Sequence, residues 1–123
     1  MASKARQQRV ESEVQRVLAE LISREVKDPR VGMVTITAVQ VAPDMSVARV
    51  LFVPFADQHP PTEVAAGLNR AAGFLRGEVG RRLALRHAPR LEFVFDESIQ
   101  KALRLSSLID DAVRSDDAHR NGE

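Results

Sequence analysis

The chain lacks the residues that several common kinds of functional site require. It has no cysteine, which excludes a disulfide framework and a thiolate metal site. Its three histidines are far apart in the sequence, and none is expected to face a carboxylate on a helix, so neither a metal nor a cofactor is predicted. No phosphate-binding loop with a lysine and no credible pair of catalytic carboxylates is found in the sequence. We therefore expect a protein that is not an enzyme.

Long apolar runs are also missing. No segment approaches the roughly 20 apolar residues that a membrane-spanning helix needs. The N-terminal segment is charged and lacks the apolar core of a secretory signal. A chain of 123 residues is long enough for one domain. These features predict a single-domain cytoplasmic protein that does not contact membranes.

Aromatic residues are few: the chain has five phenylalanines and no tryptophan or tyrosine. Proteins that stack bases on their surface use exposed aromatic side chains. The phenylalanines of this chain follow the apolar pattern of the predicted strands and helices, which indicates a place in the core. Any recognition of a nucleic acid would then depend on shape and phosphates rather than on individual bases.

Positive charge is concentrated in one segment. Residues 69–90 carry six arginines and one acid, Glu78, so their formal charge is +5 in a chain whose total is +1. A solvated helix surface usually mixes charges of both signs, so this bias favours contact with RNA or DNA. Residues 110–123 carry five acids and two arginines, which places the basic surface away from the C-terminus.

Hydrophobic periodicity predicts a helix and a hairpin in the first half of the chain. Apolar spacings of three and four indicate a helix over residues 6–27, which Pro29 terminates. β-branched residues predict strands at 33–42 and 46–55, close enough in sequence for an antiparallel hairpin. Pro54 cannot donate to a strand ladder, so it predicts an edge or a bulge at that end.

The second half predicts a broken helix, a strand and a last helix. Thr62 is a suitable N-cap for helical pieces at 62–71 and 73–86. A strand follows at 91–95, and an apolar stripe over residues 99–113 predicts a C-terminal helix before an unstructured acidic tail. This order predicts an α+β fold, a three-stranded sheet with helices on one face and the other face partly open.

The break in the helix is the segment Ala71-Ala72-Gly73. Glycine inside a helix costs about 1 kcal/mol relative to alanine, so Gly73 indicates a kink, a close packing contact or a functional approach. A kink would expose backbone amides at residues 73–76, which can hold an anion beside Arg76. The residues Gly77 to Gly80 match the Gly-x-x-Gly of nucleic-acid-binding loops, but the carboxylate of Glu78 argues against an anion site there.

Several short motifs occur in a specific order. They are RQQRV at 6–10, EVKDPR at 25–30 before Gly32, Asp44 before Ala48 and Val50, AAGFLR at 71–76, and then Leu85-Arg86, Pro89, Leu91, Phe93 and Asp96. In this order and spacing they resemble the ribosome-binding factor A family of bacterial small-subunit assembly factors, over residues 6–110.

The resemblance implies a fold and a function. The fold would be KH-like, of the type II topology α-β-β-α-kink-α-β with a C-terminal helix, and the kink would replace the phosphate-clamping loop of ordinary KH domains. The protein would bind the free small (30S) ribosomal subunit and its 16S rRNA late in assembly, support processing of the rRNA ends and take part in cold adaptation. We expect a monomer with a flexible N-terminus at 1–5, an RNA-binding domain at 6–110, and the helix end and acidic tail at 111–123.

Ten basic residues are predicted to contact RNA phosphates, in two groups. The basic segment contributes Arg70, Arg76, Arg81, Arg82, Arg86 and Arg90. The ends of the first helix contribute Arg6, Arg9, Lys27 and Arg30. We expect both groups to flank one RNA groove.

Two other functions stay open. A protein–protein adaptor that uses the open sheet face or the hairpin edge would bind in a salt-insensitive way and without the arginines. A nonspecific nucleic-acid-binding protein would bind duplex DNA as well. Binding to phosphates, in contrast, weakens steadily as salt rises.

Overall fold

The computed structural model describes residues 3–55 and 59–121, with side chains described up to residue 113. Its elements are α1 (Lys4–Glu25), β1 (Val34–Val41), β2 (Val47–Pro54), α2 (Pro61–Arg70), α3 (Ala72–Arg82), β3 (Arg90–Phe95) and α4 (Ser98–Asn121). The α+β order predicted from the sequence, including the break between two helical pieces, is confirmed.

Helix α1 begins two residues before its predicted start, because Ser3 provides an N-cap. The Ser3 hydroxyl oxygen accepts a hydrogen bond from the Arg6 N–H at 3.1 Å. The predicted flexible segment 1–5 thus includes the first residues of a helix, while residues 1 and 2 lie outside the described part of the chain. At the other end, Val26 has an extended backbone, so α1 ends at Glu25 rather than near Lys27.

The sheet has the order β1-β2-β3, with an antiparallel β1–β2 hairpin and a parallel β2–β3 pair. A bulge at Thr37 lets its hydroxyl donate to Asp96 Oδ2 at 2.5 Å. Although β2 is the central strand, β3 ends opposite Phe52, so Pro54 extends past it. The Phe55 N–H donates to Met33 on the β1 side, which means that the N–H missing from Pro54 would point to the side where β3 has ended.

One face of the sheet packs against α1, α2 and α3. The side chains that alternate toward this face, including Val50, Phe52 and Phe93, are buried together with Leu18 and Leu75 of the helices. The opposite face carries polar residues in register across the three strands: Gln40, Arg49 and Glu92. The sheet is therefore covered on one side, as predicted.

Helix α2 begins at Pro61, so the prediction of Thr62 as its N-cap was wrong. No side chain caps this end, and Pro60 holds the N-cap position. Proline fits the first turn of a helix because its missing N–H has no acceptor there.

Helix α4 continues to Asn121, beyond Val113 where the sequence pattern predicted its end. Asp96 Oδ1 accepts a hydrogen bond from the Ser98 N–H at 2.9 Å and so caps the N-terminus of α4. The Thr37 hydroxyl, followed by the Ser98 hydrogen bonds, lowers the pKa of Asp96, which keeps the cap ionised. Every described side chain of α4 is exposed, and its large apolar residues are 52–66% exposed. The domain limits at 110 and 111 stay a prediction.

Candidate nucleic-acid interface

The break between α2 and α3 falls at Ala71, inside the predicted segment. The Ala71 N–H still donates to Gly67 and Leu68, and its carbonyl accepts the Leu75 N–H at 3.0 Å. The backbone of Ala71 (φ −84°, ψ −3°) departs only locally from helical geometry. Helix α3 begins at Ala72, and the Leu75 N–H, one of the amides predicted to be exposed, has the Ala71 carbonyl as its acceptor.

The end of α3 turns the chain back along the helix. Helix α3 ends at Arg82 rather than at the predicted residue 86, because Ala84 takes a left-handed conformation (φ 52°). The Ala84 N–H donates to Arg81 at 3.3 Å and the Leu85 N–H to Gly80 at 2.9 Å. These two bonds are the pattern of a Schellman C-terminal cap, formed here around alanine instead of the usual glycine.

Gly80 allows the returning segment to approach α3 closely. A Cβ at this position would lie 3.2 Å from Ala88 Cβ. One turn earlier in α3, Arg76 Nε donates to the Ala88 carbonyl at 2.9 Å, so the guanidinium is held at the surface by the returning segment. Gly77 and Gly80 both lie inside α3, and their Gly-x-x-Gly spacing does not form a loop.

An open groove of about 730 Å³ lies between the start of α1, the β1–β2 turn and the returning segment. We call it the Arg76 groove. The polar side chains that line it are those of Arg6, Asp44, Ser46, Arg76, Arg86 and His87. Two segments far apart in sequence thus bring Arg6, Arg76 and Arg86 to one concave surface. That RNA binds there stays a prediction.

The Arg76 groove combines three arginines with a single carboxylate. Asp44 accepts hydrogen bonds from the Ser46 hydroxyl at 2.6 Å and the Ser46 N–H at 3.0 Å. The hydroxyl bond is the main cause that lowers the pKa of Asp44, so this residue is ionised. Both bonds go to Asp44 Oδ1, and one carboxylate against three arginines leaves positive charge in excess. The groove has the charge and openness to hold phosphate groups.

Two of the predicted phosphate contacts in α3 are instead engaged by acids. Arg81 forms a salt bridge with Glu78, one turn earlier in α3. Arg82 lies 3.6 Å from Glu20 of α1. The sequence showed one acid within the basic segment, but packing of α1 against α3 supplies a second one from a distant part of the chain.

Arg30 and Lys27 lie at the far end of α1 from Arg6. A helix of this length places them about 30 Å apart, so they do not flank the Arg76 groove. Arg30 makes a two-pronged contact with Asp28, with distances of 3.0 and 2.7 Å. That hydrogen bonding is the main cause that lowers the pKa of Asp28 to about 2, and Arg70 adds a smaller effect. The prediction that both basic groups flank one groove was therefore wrong for Lys27 and Arg30.

The remaining predicted contacts, Arg9, Arg70 and Arg90, are exposed. Arg90 lies beside the groove, because its N–H donates to the Ser46 carbonyl at 2.9 Å. Among residues with described side chains, no salt bridge involves Arg6, Arg76 or Arg86. The contribution of each arginine to binding stays a prediction.

The sequence pattern missed two exposed aromatics. Phe55 is 73% and Phe74 51% exposed, so the prediction that both lie in the core was wrong. Phe74 is offset by one residue from the buried stripe of Leu75 and Val79, and this offset was the signal available in the sequence. Phe55 follows Pro54 at the end of the central strand, beyond the last neighbour in β3.

One histidine does meet a carboxylate, contrary to expectation. His59 Nδ1 lies 3.2 Å from Glu63 Oε2 in the first turn of α2. Within the described residues, no group of three potential metal ligands is found. The same part of the chain contains no helix that is long and apolar enough to cross a membrane.

In comparisons with known proteins, the matching family model and the relatives given below carry the same name. The family model of ribosome-binding factor A matches residues 6–109. Ribosome-binding factor A of Azoarcus sp. (strain BH72) is 48% identical over 120 residues, which are 97% of this chain and 95% of the relative. The protein of the same name from Thioalkalivibrio sulfidiphilus (strain HL-EbGR7) is 49% identical over 114 residues, 93% of this chain and 88% of the relative.

Solved structures agree with the sequence relatives. The crystal structure of ribosome-binding factor A from Thermus thermophilus matches with a TM-score of 0.63 and 33% identity, over 72% of this chain and 93% of that one. Coordinates of a homology model of the Thermus thermophilus factor, fitted into the cryo-EM map of a 30S complex, match with a TM-score of 0.62 and 32% identity, over 72% and 93% of the two chains. These neighbours confirm the KH-like fold predicted from the sequence.

Proposed function

The chain belongs to the ribosome-binding factor A family, and we propose that it is a maturation factor that binds the free small ribosomal subunit through 16S rRNA. The observation that supports this role is the Arg76 groove. Arg6, Arg76 and Arg86 line a concave surface that has one carboxylate, Asp44, whose Oδ1 accepts two hydrogen bonds from Ser46 of its own turn.

The groove suits an RNA backbone better than a small ligand. Guanidinium groups bind phosphate oxygens with two parallel N–H donors, and Arg76 is already oriented by its bond to Ala88. An open, wide surface accommodates a curved backbone, whereas small-molecule sites enclose most of their ligand. The binding role that follows is one of positioning RNA, without a catalytic step.

The finer proposal concerns the timing and place of binding. We propose that this cytoplasmic protein acts as a monomer on late assembly intermediates, supports processing of the 16S rRNA ends and contributes most in the cold. A protein that holds phosphates at a defined groove can stabilise one RNA arrangement over its alternatives, because only the arrangement that fits gains the contacts. Stable misfolded helices make this selection more important at low temperature.

The test is co-sedimentation with free small subunits, large subunits and joined ribosomes over a series of salt concentrations. We expect retention on the free small subunit alone, with log affinity falling by about 0.7–0.9 per phosphate contact for each tenfold rise in salt. Equal binding to all three particles would indicate a nonspecific polycation. Salt-insensitive binding would indicate a protein–protein adaptor.

Charge reversal tests whether the Arg76 groove makes the contact with RNA. The variant Arg6→Glu/Arg86→Glu should lose binding and show a smaller salt slope. Its control is Arg16→Glu/Arg104→Glu, which makes the same change in net charge at two exposed positions of α1 and α4. Equal losses in the two variants would contradict a specific role for the groove.

Reversal of Arg81 and Arg82 forms a third arm of this experiment. The sequence pattern alone predicts that it abolishes binding. The salt bridges of these two arginines to Glu78 and Glu20 rank its effect below that of the groove variant. A larger loss from Arg81 and Arg82 would move the interface onto the exposed side of α3.

A further inference from the structure

Phe74 is an aromatic side chain that the fold leaves at the surface. It occupies the first turn of α3, immediately after the break at Ala71, and is 51% exposed. The buried side of α3 is formed by Leu75 and Val79, so Phe74 lies about 100° around the helix from the core. The ring lies outside the core, although burying it would stabilise the fold through the hydrophobic effect.

The backbone beside the ring is open. Gly73 and Gly77 are both exposed, and apart from the neighbouring residues and the backbone of the helix itself, no atom of the described residues lies within 4 Å of where a Cβ would stand at either position. Glycine costs stability in a helix, so two glycines at this surface are not explained by packing. They leave space in which a flat group can approach the ring and the first turn of α3.

One cation, Arg70, precedes the ring across the helix break. It is the last residue of α2, four positions before Phe74, and none of the salt bridges of the described side chains involves it, although its charge also acts on Asp28. Glu78 is four residues after Phe74, but its carboxylate is engaged by Arg81. A partner with a planar apolar face and negative charge matches this arrangement.

The second exposed phenylalanine has different surroundings. Phe55 is joined to Met33 by a backbone hydrogen bond, and Met33 is itself 72% exposed, so the two form an apolar pair. An apolar pair suits the apolar side chains of a protein partner. Phe74 has exposed glycines beside it, Arg70 before it and the paired Glu78 after it, which favours a nucleotide over a protein.

We propose that Phe74 is a stacking site for an unpaired base, with Arg70 contacting the adjoining phosphate. This inference rests on the proposed function, because the base belongs to the RNA bound by the protein. Stacking on an aromatic ring is tolerant of base identity, so the site would recognise single-stranded character rather than sequence. It would extend recognition from the Arg76 groove to the opposite side of α3.

The absence of tryptophan and tyrosine provides a direct test. The variant Phe74→Trp carries the only indole in the chain, and protein-free small-subunit rRNA adds no tryptophan of its own. Titration with this rRNA should quench the indole fluorescence, because a stacked base quenches it. The matched control is Phe55→Trp, which places the indole at the other exposed phenylalanine and should show no quenching.

Affinity measurements separate stacking from simple apolar contact. Phe74→Ala and Phe74→Leu should both weaken binding to the small subunit by about tenfold, while Phe74→Trp should bind as tightly as the original protein. Leucine retains apolar volume without a π-face, so a protein pocket would tolerate it. Circular dichroism verifies that each variant is folded.

The outcomes distinguish this inference from the proposed function. Subunit binding that is unchanged in Phe74→Ala, with no quenching in Phe74→Trp, overturns the stacking site and leaves the proposed function intact. Tight binding of Phe74→Leu to the subunit overturns it in favour of a protein contact. If the unaltered protein binds neither the subunit nor its rRNA, the proposed function fails and the stacking site fails with it.

Discussion

Helices α1 and α4 have similar lengths and similar apolar periodicity, but among the side chains that the structure describes only those of α1 are packed. The two helices span 22 and 24 residues. The valines, leucines and isoleucine of α1 from Val10 to Ile22 are at most 5% exposed, whereas the large apolar residues of α4 from Ile99 to Val113 are at least 52% exposed. An amphipathic pattern predicts a helix, and it does not predict what will cover the apolar side.

The difference lies in the polar groups that α1 brings to the sheet. β1 is an edge strand, with backbone groups that no other strand can pair. Gln15 donates to the Ile36 carbonyl at 2.9 Å, and Glu11 accepts the Val41 N–H at 2.8 Å. Helix α1 therefore covers apolar surface and also satisfies the edge of the sheet, which α4 does not do within the described part of the chain.

The largest expected effect comes from matched leucine-to-alanine substitutions in the two helices. Leu18→Ala in α1 removes a fully buried side chain, and we expect a loss of about 2–5 kcal/mol in the free energy of unfolding. Leu103→Ala in α4 removes a side chain that is 65% exposed, and we expect a change within about 0.5 kcal/mol. Chemical denaturation monitored by circular dichroism measures both. A comparable loss from Leu103→Ala would show that α4 is packed in solution.

The next effect compares two glycines on packed and open helix surfaces. Gly67 of α2 faces Val31, and an added Cβ would lie 2.9 Å from a methyl carbon of that side chain. We expect Gly67→Ala to cost about 1–3 kcal/mol through overpacking. Gly77→Ala, on the open surface of α3, should stabilise the protein by about 1 kcal/mol through helix propensity. Thermal unfolding shows whether each variant is more or less stable than the original protein, and a stabilising Gly67→Ala would refute the close packing of α2.

The fold could be predicted because its signals are local. The spacing of apolar residues predicts α1, β-branched residues predict the hairpin, and Gly73 correctly marks the region of the helix break at Ala71. The predicted ends of the helices were less accurate, because these ends depend on contacts between segments. Helix α3 stops at Arg82 since Ala84 adopts a left-handed turn, and nothing in the identity of alanine indicates that conformation.

The candidate site could be predicted only in part. The concentration of arginine identified the basic segment, but it could not separate residues that meet acids from residues that meet solvent. Glu20 is 62 positions from Arg82, and only the packing of α1 on α3 brings them together. Arg6 and Arg86 do line one groove, but that expectation rested on the predicted fold and not on the residues beside either arginine.

A smaller effect concerns pH and the packed end of α1. The pKa of Asp28 is lowered to about 2, mainly by the Arg30 side chain, from an unfolded value near 3.8. A carboxyl with a depressed folded pKa contributes stability above its unfolded pKa, and this contribution is lost as pH falls through the folded pKa. We expect a loss between about pH 4 and pH 2 that is absent in Asp28→Asn. Thermal midpoints over this range measure it, and parallel curves for the two proteins would contradict the contribution of this ion pair.

The smallest expected effect is the removal of most of α4. A chain that ends at Gln100 keeps Asp96, its bonds to Thr37 and Ser98, and the whole of β3. Because the described side chains beyond that point are exposed, the free energy of unfolding should change by less than about 0.5 kcal/mol, while the helical signal decreases. Denaturant titration gives the free energy, and its slope should fall only slightly, since the slope follows the surface that unfolding exposes. A marked loss of stability would mean that the apolar side of α4 is covered in solution. Helices α1 and α4 would then differ in what covers them and not in whether they are covered.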